Sequence, residues 1–337
     1  MPPDKPAPDK TFAMTEFELI RDYFDQRCTF RDDVLLGIGD DAALLRPRAS
    51  MAQAVSIDTL VEGVHFNQDS SPYALGWKAA AVNLSDLAAM GAEPAWAVLS
   101  LTLPHANPEW LREFSNGLFD MLSRFKVQLV GGDTSRGPLA VTVLVQGFVP
   151  DGQALRRGGA RPGDWIYLSG PVGMAGLALW CRRHQVDLPQ PNGRLLMESL
   201  DLPVPRIETG LKLRGLASSA IDISDGLLAD LGHICSASKV GAMIDTAKIP
   251  RSAEFSACTR PLLEQGLISE ETLLSLQLSG GDDYELCFTV PATRCPDLLG
   301  DDDYYCIGEI DDGDQIRCCD EQGQLLIPEH TGFDHFS

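Results

Sequence analysis

Six stretches of the chain set aspartate inside otherwise apolar, glycine-containing sequence: LLGIGDDAALL (35–45), VSIDTLVEGVHF (55–66), AVNLSDLAAMGA (81–92), QLVGGDTSRG (128–137), AIDISDGLLADLG (220–232) and LSGGDDYELCF (278–288). Apolar flanks draw a backbone inward, and a buried carboxylate must be paired, protonated or bound to a cation. Arg136 is the only Lys or Arg within the six stretches. Either distant cations reach these carboxylates or metal ions do. Oxygen ligands without clustered histidines suit Mg2+ rather than zinc. Glycines precede Asp40-Asp41, Asp133 and Asp282-Asp283, where they let the backbone approach a ligand and offer N–H groups to phosphate oxygens.

Not every acidic pair earns that reading. Asp pairs in loops are commonly solvated turn formers. Asp32-Asp33, Asp301–Asp303 and Asp311-Asp312 have polar neighbours and are expected at the surface. Ser224-Asp225-Gly226 reads either as a helix N-cap or as a functional turn. His65 follows an apolar strand and a glycine, so it either faces a site or is structural.

Composition narrows the partners. Lys and Arg number 27 against 48 Asp and Glu, a formal charge of −21, which excludes a binder of nucleic-acid backbones. No apolar run is long enough for a membrane helix. The opening MPPDKPAPDKTFA lacks the apolar core of a secretion signal, and residues 1–13 are expected to be a disordered extension. Nine cysteines without a C-x-x-C pair favour reduced thiols in a cytoplasmic protein. The P-loop, the protein-kinase signature set, H-E-x-x-H and G-x-S-x-G are all missing from the sequence. Metal-assisted phosphoryl transfer needs none of these and no protein nucleophile, so no catalytic side chain of that kind is assigned.

Helical and strand-like segments interleave along the chain, which predicts an α/β (α+β) protein in two domains. Helices are expected at Thr15–Arg27 (Thr15 and Glu18 have capping-box spacing), from Ser71-Pro72 to Met90, and at Glu109–Arg124, Met174–His184 and Leu227–Ser238. In the second of these, Asn83 and Asp86 share one face. Strands are expected at Ala54–Leu60, Ala95–Leu103, Val127–Val130, Leu139–Val149, Trp165–Ser169, Ala220–Ile223 and Tyr284–Val290, among others. The Gly- and charge-rich segment RRGGARPGD (156–164) marks the boundary between domains at 14–155 and 156–337.

Taken in order, GIGDDAALL (37–45), SIDTLVEGVHF (56–66), KAAAVNLSDLAAMGAEPAW (78–96), GGDTSRGPL (131–139), GARPGDWIYLSG (159–170), AIDISDGLLADLGHI (220–234), SGGDDYELCFTV (279–290) and GFDHF (332–336) resemble the thiamine-monophosphate kinase family, of the aminoimidazole-ribonucleotide synthetase-like superfamily. The resemblance spans nearly all of Met14 to Phe336. It implies the two-domain fold of that superfamily, with N-terminal domains dimerising through a shared β-barrel and ATP bound near the interface. It implies transfer of the γ-phosphoryl of ATP to thiamine monophosphate, with Mg2+ and often K+. By motif match, Asp41, Ser56, Ile57 (through its carbonyl), Asp58, Asp86, Asp133 and Asp222 form the metal-linked set, and Asp225 binds a further ion. Gly132, Asp133, Arg157 and Ser224 match nucleotide contacts. His65, Asp282 and Phe333 match substrate contacts. The family often has Thr where Ile57 stands, Glu where Asp282 stands, and a hydroxylated aromatic where Phe333 stands. Two other readings stay open on the residues: a sibling ATP-dependent enzyme that closes rings or makes selenophosphate, and an acidic cation-binding protein, although no EF-hand loop is present in the sequence.

Overall fold

The structure, a computed structural model, describes residues 15–25, 29–298, 304–326 and 332. The expected extension at 1–13 lies outside them. Helix α1 (Glu16–Tyr23) opens on a capping box in which the Glu18 N–H donates to the Thr15 hydroxyl at 3.3 Å and the Thr15 N–H donates to the Glu18 carboxylate at 2.9 Å. The hairpin β1 (Val34–Leu36) and β2 (Leu44–Leu45) follows. Then come β3 (Met51–Val61), α2 (Pro72–Ala89), β4 (Glu93–Leu103), α3 (Pro108–Arg124), β5 (Gln128–Arg136) and β6 (Ala140–Pro150). Among the described residues these strands form a four-stranded sheet in the order β3-β6-β4-β5, with only β4 and β5 parallel. The edge strands are therefore β3 and β5. Asp58, Val143, Leu99 and Gly132 lie in one cross-strand row, so Asp58 and Gly132 sit three strand spacings apart, about 14 Å.

One face of this sheet is apolar at alternate positions (Leu99, Leu101, Val141 and Val143) and packs on α2 and α3. The two helices touch so closely that a Cβ on Gly117 would lie 1.9 Å from the Tyr73 carbonyl oxygen, and one on Gly76 would lie 2.1 Å from that of Phe114. Only glycine permits this contact. Ser71 caps α2 and Pro72 starts it, as expected, and the helix is buried nearly all round.

The second half runs β7 (Asp164–Leu168), α4 (Met174–His184), α5 (Asn192–Asp201), α6 (Ile207–Leu213), β8 (Ser219–Asp222), α7 (Leu227–Ser238), β9 (Gly241–Asp245), α8 (Ala253–Glu264), α9 (Glu270–Ser279), β10 (Leu286–Pro291), β11 (Tyr305–Asp311), β12 (Ile316–Cys319) and β13 (Leu325–Leu326). Its described strands form a seven-stranded sheet in the order β13-β12-β9-β11-β7-β10-β8, in which only β12 and β9 are parallel. Helix α2 joins the halves. It packs on β3, β6 and α3 to one side and on α6 and β8 to the other. Leu84 and Leu87 share a single buried cluster with Ile207, Leu213, Leu286 and Phe288. Each such side chain contributes about 1.5–3 kcal/mol of burial, so the two halves are not independent cores.

Two expectations are corrected here. Asp33 is not at the surface but 7% exposed, covered by Trp96 of β4. It accepts from Arg31 at 2.9 and 2.7 Å and from Trp96 Nε1 at 2.9 Å, and the Arg31 guanidinium holds its carboxyl below the usual carboxylate range. Tyr284 is not in a strand. Asp282 and Tyr284 take φ of +59° and +51°, which breaks the extended backbone, so β10 starts at Leu286. No helix of the described residues is long and apolar enough to cross a membrane.

Candidate active site

A cleft of about 420 Å³ opens where α2 passes between β3 and β8. Lys78, Val82 and Asp86 line it from successive turns of α2. Asp58 enters from β3, Asp222 from the end of β8, Ser224 and Asp225 from the turn before α7, and Gly281, Asp282 and Tyr284 from the turn before β10. Arg157 and His65 complete this part of the wall.

Several of these groups are held by residues distant in sequence. Ser56 Oγ donates to Asp86 Oδ2 in a short hydrogen bond. The Asp58 N–H donates to Asn83 Oδ1 at 2.9 Å, and Asn83 Nδ2 donates to the Ala79 carbonyl at 2.9 Å. Asn83 and Asp86 thus both tie α2 to β3. Val61 N–H donates to His65 Nδ1 at 3.0 Å, which places the proton of a neutral imidazole on Nε2. The turn at Ser224-Asp225-Gly226 is not a side-chain N-cap, because Gly226 holds that position and no side chain caps the helix. The turn is fixed instead by Asp230, 2% exposed, whose Oδ2 accepts the N–H groups of Ser224, Asp225 and Gly226 at 3.0, 3.1 and 3.1 Å. Gly281 faces it across the cleft floor with φ +67°, and a Cβ there would lie 2.6 Å from the Ser224 carbonyl oxygen.

Crowding of acidic groups shows in their proton affinities. Burial, then Asp86, pushes Asp222 up to about 7. Burial raises Asp86 to about 6, with Ser56 pulling down and Asp58 pushing up. Burial and Asp225 raise Asp230 to about 7 and also raise Asp58, which stands at the open rim. The cleft is lined by Asp58, Asp86, Asp201, Asp222, Asp225 and Asp282 against Lys78, Arg157, Arg182 and Arg183. Lys78 pairs with Asp282 at 3.1 Å and Arg182 with Asp201 at 2.8 Å. Four carboxyls remain for two guanidiniums. Ser85 Oγ, fully buried, lies close enough to Asp222 to ease its carboxyl downward but meets no partner at hydrogen-bonding geometry. A hard divalent cation fits this donor set, because it would satisfy carboxyls that repel one another and have too few cations.

The expected metal-linked set is not gathered whole. Asp58, Asp86, Asp222 and Asp225 share the cleft, with Ser56 behind Asp86. Ile57 lies beside them on β3 with its side chain 57% exposed. Asp41, Gly132 and Asp133 instead line a second cleft of about 630 Å³, whose walls are Ile20 of α1, Phe24 just after it, the 37–43 loop and β4–β5. Asp40, Asp41 and Asp133 are exposed there, contrary to the inward pull expected of their apolar flanks. The reason is position: the loop and the β5 edge lie at the rim of the sheet. Of the nucleotide-contact matches, Arg157 and Ser224 stand in the first cleft and Gly132 and Asp133 in the second. His65 and Asp282 stand together in the first, and Phe333 lies outside the described residues.

Sequence reasoning missed Lys78, Asp230 and Tyr284. A lysine in an alanine-rich, otherwise apolar helix is a signal for the first, since a buried lysine needs a partner. Asp230 carried a fainter mark, an acid in the first turn of a helix that follows Asp-Gly.

Comparison with known proteins follows the same outline. The chain matches the models for AIR synthase related protein, N-terminal domain, over residues 39–149 and C-terminal domain over 161–318. It is 48% identical over 333 residues to thiamine-monophosphate kinase of Escherichia coli K12, covering 96% of this chain and 99% of that one. Its structure is similar to that of thiamine-monophosphate kinase from Stenotrophomonas maltophilia K279a, with a TM-score of 0.81, 42% identity and coverage of 91% and 97%. It is also similar to AaThiL complexed with AMPPCP and TMP, with a TM-score of 0.76, 30% identity and coverage of 86% and 89%. With a relative this similar along nearly its whole length, a mixed α/β two-domain architecture in common and a carboxylate-lined cleft between the halves, the chain belongs to the thiamine-monophosphate kinase family.

Proposed function

We propose that this chain transfers the γ-phosphoryl group of ATP directly to thiamine monophosphate, giving ADP and thiamine diphosphate. The observation that carries this reading is the convergence of Asp58, Asp86, Asp222 and Asp225 on one cleft with too few cations to balance them. Those carboxylates would hold Mg2+, with Asp41, Asp133, Ser56 and the Ile57 carbonyl completing the set and K+ as an accessory ion. Bound Mg2+ supplies charge neutralisation between two polyanions that would otherwise repel. The chain's own groups do the rest. Arg157, near enough to Asp86 to lower its carboxyl, adds positive charge for the triphosphate. Ser224 stands on a turn that Asp230 makes rigid, which fixes where a phosphate can rest. His65, its Nδ1 held by the Val61 N–H, stands on the thiamine side, where Asp282 offers an acceptor oxygen. The attacking phosphate oxygen is already anionic near neutral pH, so no side chain need remove a proton.

The division of the predicted set between two clefts supports a homodimer. Residues on β3 and β5 stand at opposite edges of the four-stranded sheet, about 14 Å apart, and among the described residues neither edge pairs with a further strand of that sheet. Val55 and Ile57 on β3 are 58% and 57% exposed, an apolar surface suited to a second copy. Closing two such sheets into a shared barrel would bring the Asp133 edge of one copy beside the Asp58 edge of the other. The test of function is a coupled assay with purified protein, ATP, Mg2+ and thiamine monophosphate. Mg2+-dependent formation of thiamine diphosphate is expected, with free thiamine inert as acceptor. Turnover of free thiamine, or no turnover of the monophosphate, overturns the reading.

A further inference from the structure

We infer that Lys78 is a positioning residue for thiamine recognition through Asp282, and not a phosphate ligand. The inference rests on the functional reading above, in which Asp282 meets the substrate. A lysine in a nucleotide cleft invites assignment to phosphate, but the geometry commits this one elsewhere. Its side chain is 11% exposed, and its ammonium lies 3.1 Å from Asp282 Oδ1. The Tyr284 hydroxyl donates to the same Oδ1 at 2.9 Å. Two donors on one oxygen restrain the carboxylate and leave Oδ2 to serve as the acceptor in the cleft that Asp282 lines.

The backbone serves the same end. Gly281, Asp282 and Tyr284 all have positive φ, a costly conformation for the two that carry side chains. It is held by the Asp282 N–H donating to the Ser224 carbonyl and the Tyr284 N–H to the Ile223 carbonyl, each at 2.8 Å. Tyr284 itself is 7% exposed, so its hydroxyl has little freedom to leave. The result is a fixed acceptor oxygen in a cleft whose other end is built for phosphates. Thiamine offers a permanently cationic thiazolium ring and an aminopyrimidine N–H donor, and both complement such an oxygen. Aspartate is one methylene shorter than glutamate, so an anchor on its inner oxygen matters for how far the outer one reaches.

Steady-state kinetics with each substrate varied in turn, together with calorimetric titration of thiamine monophosphate, test this. Lys78→Met should raise KM for thiamine monophosphate about tenfold, with kcat and KM for ATP changed less than about threefold. Lys78→Arg should recover most of that loss, and Tyr284→Phe, which removes only the hydroxyl, should raise the same KM roughly threefold. If Lys78→Met unfolds, Lys78→Arg and Tyr284→Phe decide the question by the same split. A rise confined to KM for ATP, or unchanged affinity for thiamine monophosphate in these variants, overturns the assignment. A wild-type protein that neither binds nor turns over thiamine monophosphate breaks the functional reading itself, which is a separate outcome.

Discussion

The two clefts are built from similar sequence and differ in what holds their aspartates. In the cleft beside α2, three key groups are fixed by residues far away in the chain, Ser56 on Asp86, Asn83 on the Asp58 backbone and Lys78 on Asp282, while Asp230 holds the Ser224–Gly226 turn from close by. In the cleft at the β5 edge, Asp40 and Asp133 accept hydrogen bonds from close neighbours in sequence. The Asp41 N–H donates to Asp40 Oδ1 at 2.8 Å, and Ser135 Oγ donates to Asp133 Oδ2 at 2.8 Å. Long-range contacts preorganise a site before any ligand arrives, while local ones leave it to be shaped by what binds. The lesson is that a Gly-Asp motif reports chemistry but not readiness. Readiness depends on which other elements the fold presses against it.

The sharpest way to break that contrast is Asp86→Ala. In the preorganised cleft it should cut kcat/KM by about a thousandfold or more at saturating Mg2+, with circular dichroism unchanged. Near-normal turnover would remove Asp86 from the machinery. Asp133→Asn should cost less, about a hundredfold. Mixing Asp86→Ala and Asp133→Asn chains after reversible denaturation should then restore up to about a quarter of wild-type activity, because a mixed dimer holds one intact composite site. No recovery would mean that the second cleft works within its own chain or not at all. Asp230→Ala should lower kcat/KM roughly tenfold by loosening the Ser224–Gly226 turn.

The smallest effect is on stability. Asp86 and Asp222 bind protons more tightly folded, at about 6 and about 7, than unfolded, where carboxyls titrate near 4. Their contribution to the metal-free fold is therefore largest at low pH and is lost as pH rises through that window. Scanning calorimetry without Mg2+ should show Tm falling by several degrees on this account between pH 5 and 8, and Mg2+ should reverse the fall at pH 8. A Mg2+ effect equal at both pH values would count against ion binding by these two groups.

Much of this was legible before the fold was known, and the exceptions have physical causes. Helix α2 could be read from Ser71-Pro72 and its unbroken small and apolar residues, and α4 and α7 start and end where their sequence signals lie. The aspartates of the first cleft were visible because acids rarely stand in apolar sequence. What the sequence concealed was neighbourhood. Asp33 reads as polar surface beside Arg31 and Asp32, until Trp96 from β4 folds over it. Asp230 looks like one more acid in a first helical turn, and only the folded turn shows three N–H groups pointing at it. Tyr284 reads as the start of a strand because hydrophobic alternation carries no information about the sign of φ.

The glycine contact between α2 and α3 has a consequence for how this protein can change. Gly76 lies ten residues before Asp86, about 15 Å along the helix axis. A single methyl on either glycine would wedge the helices apart and shift the whole rod, and Lys78, Asn83 and Asp86 would travel with it as one body. Mutational tolerance should then follow the length of α2 rather than distance from the substrate. The least replaceable positions include two with no chemistry of their own, on the far flank of the molecule's central shaft.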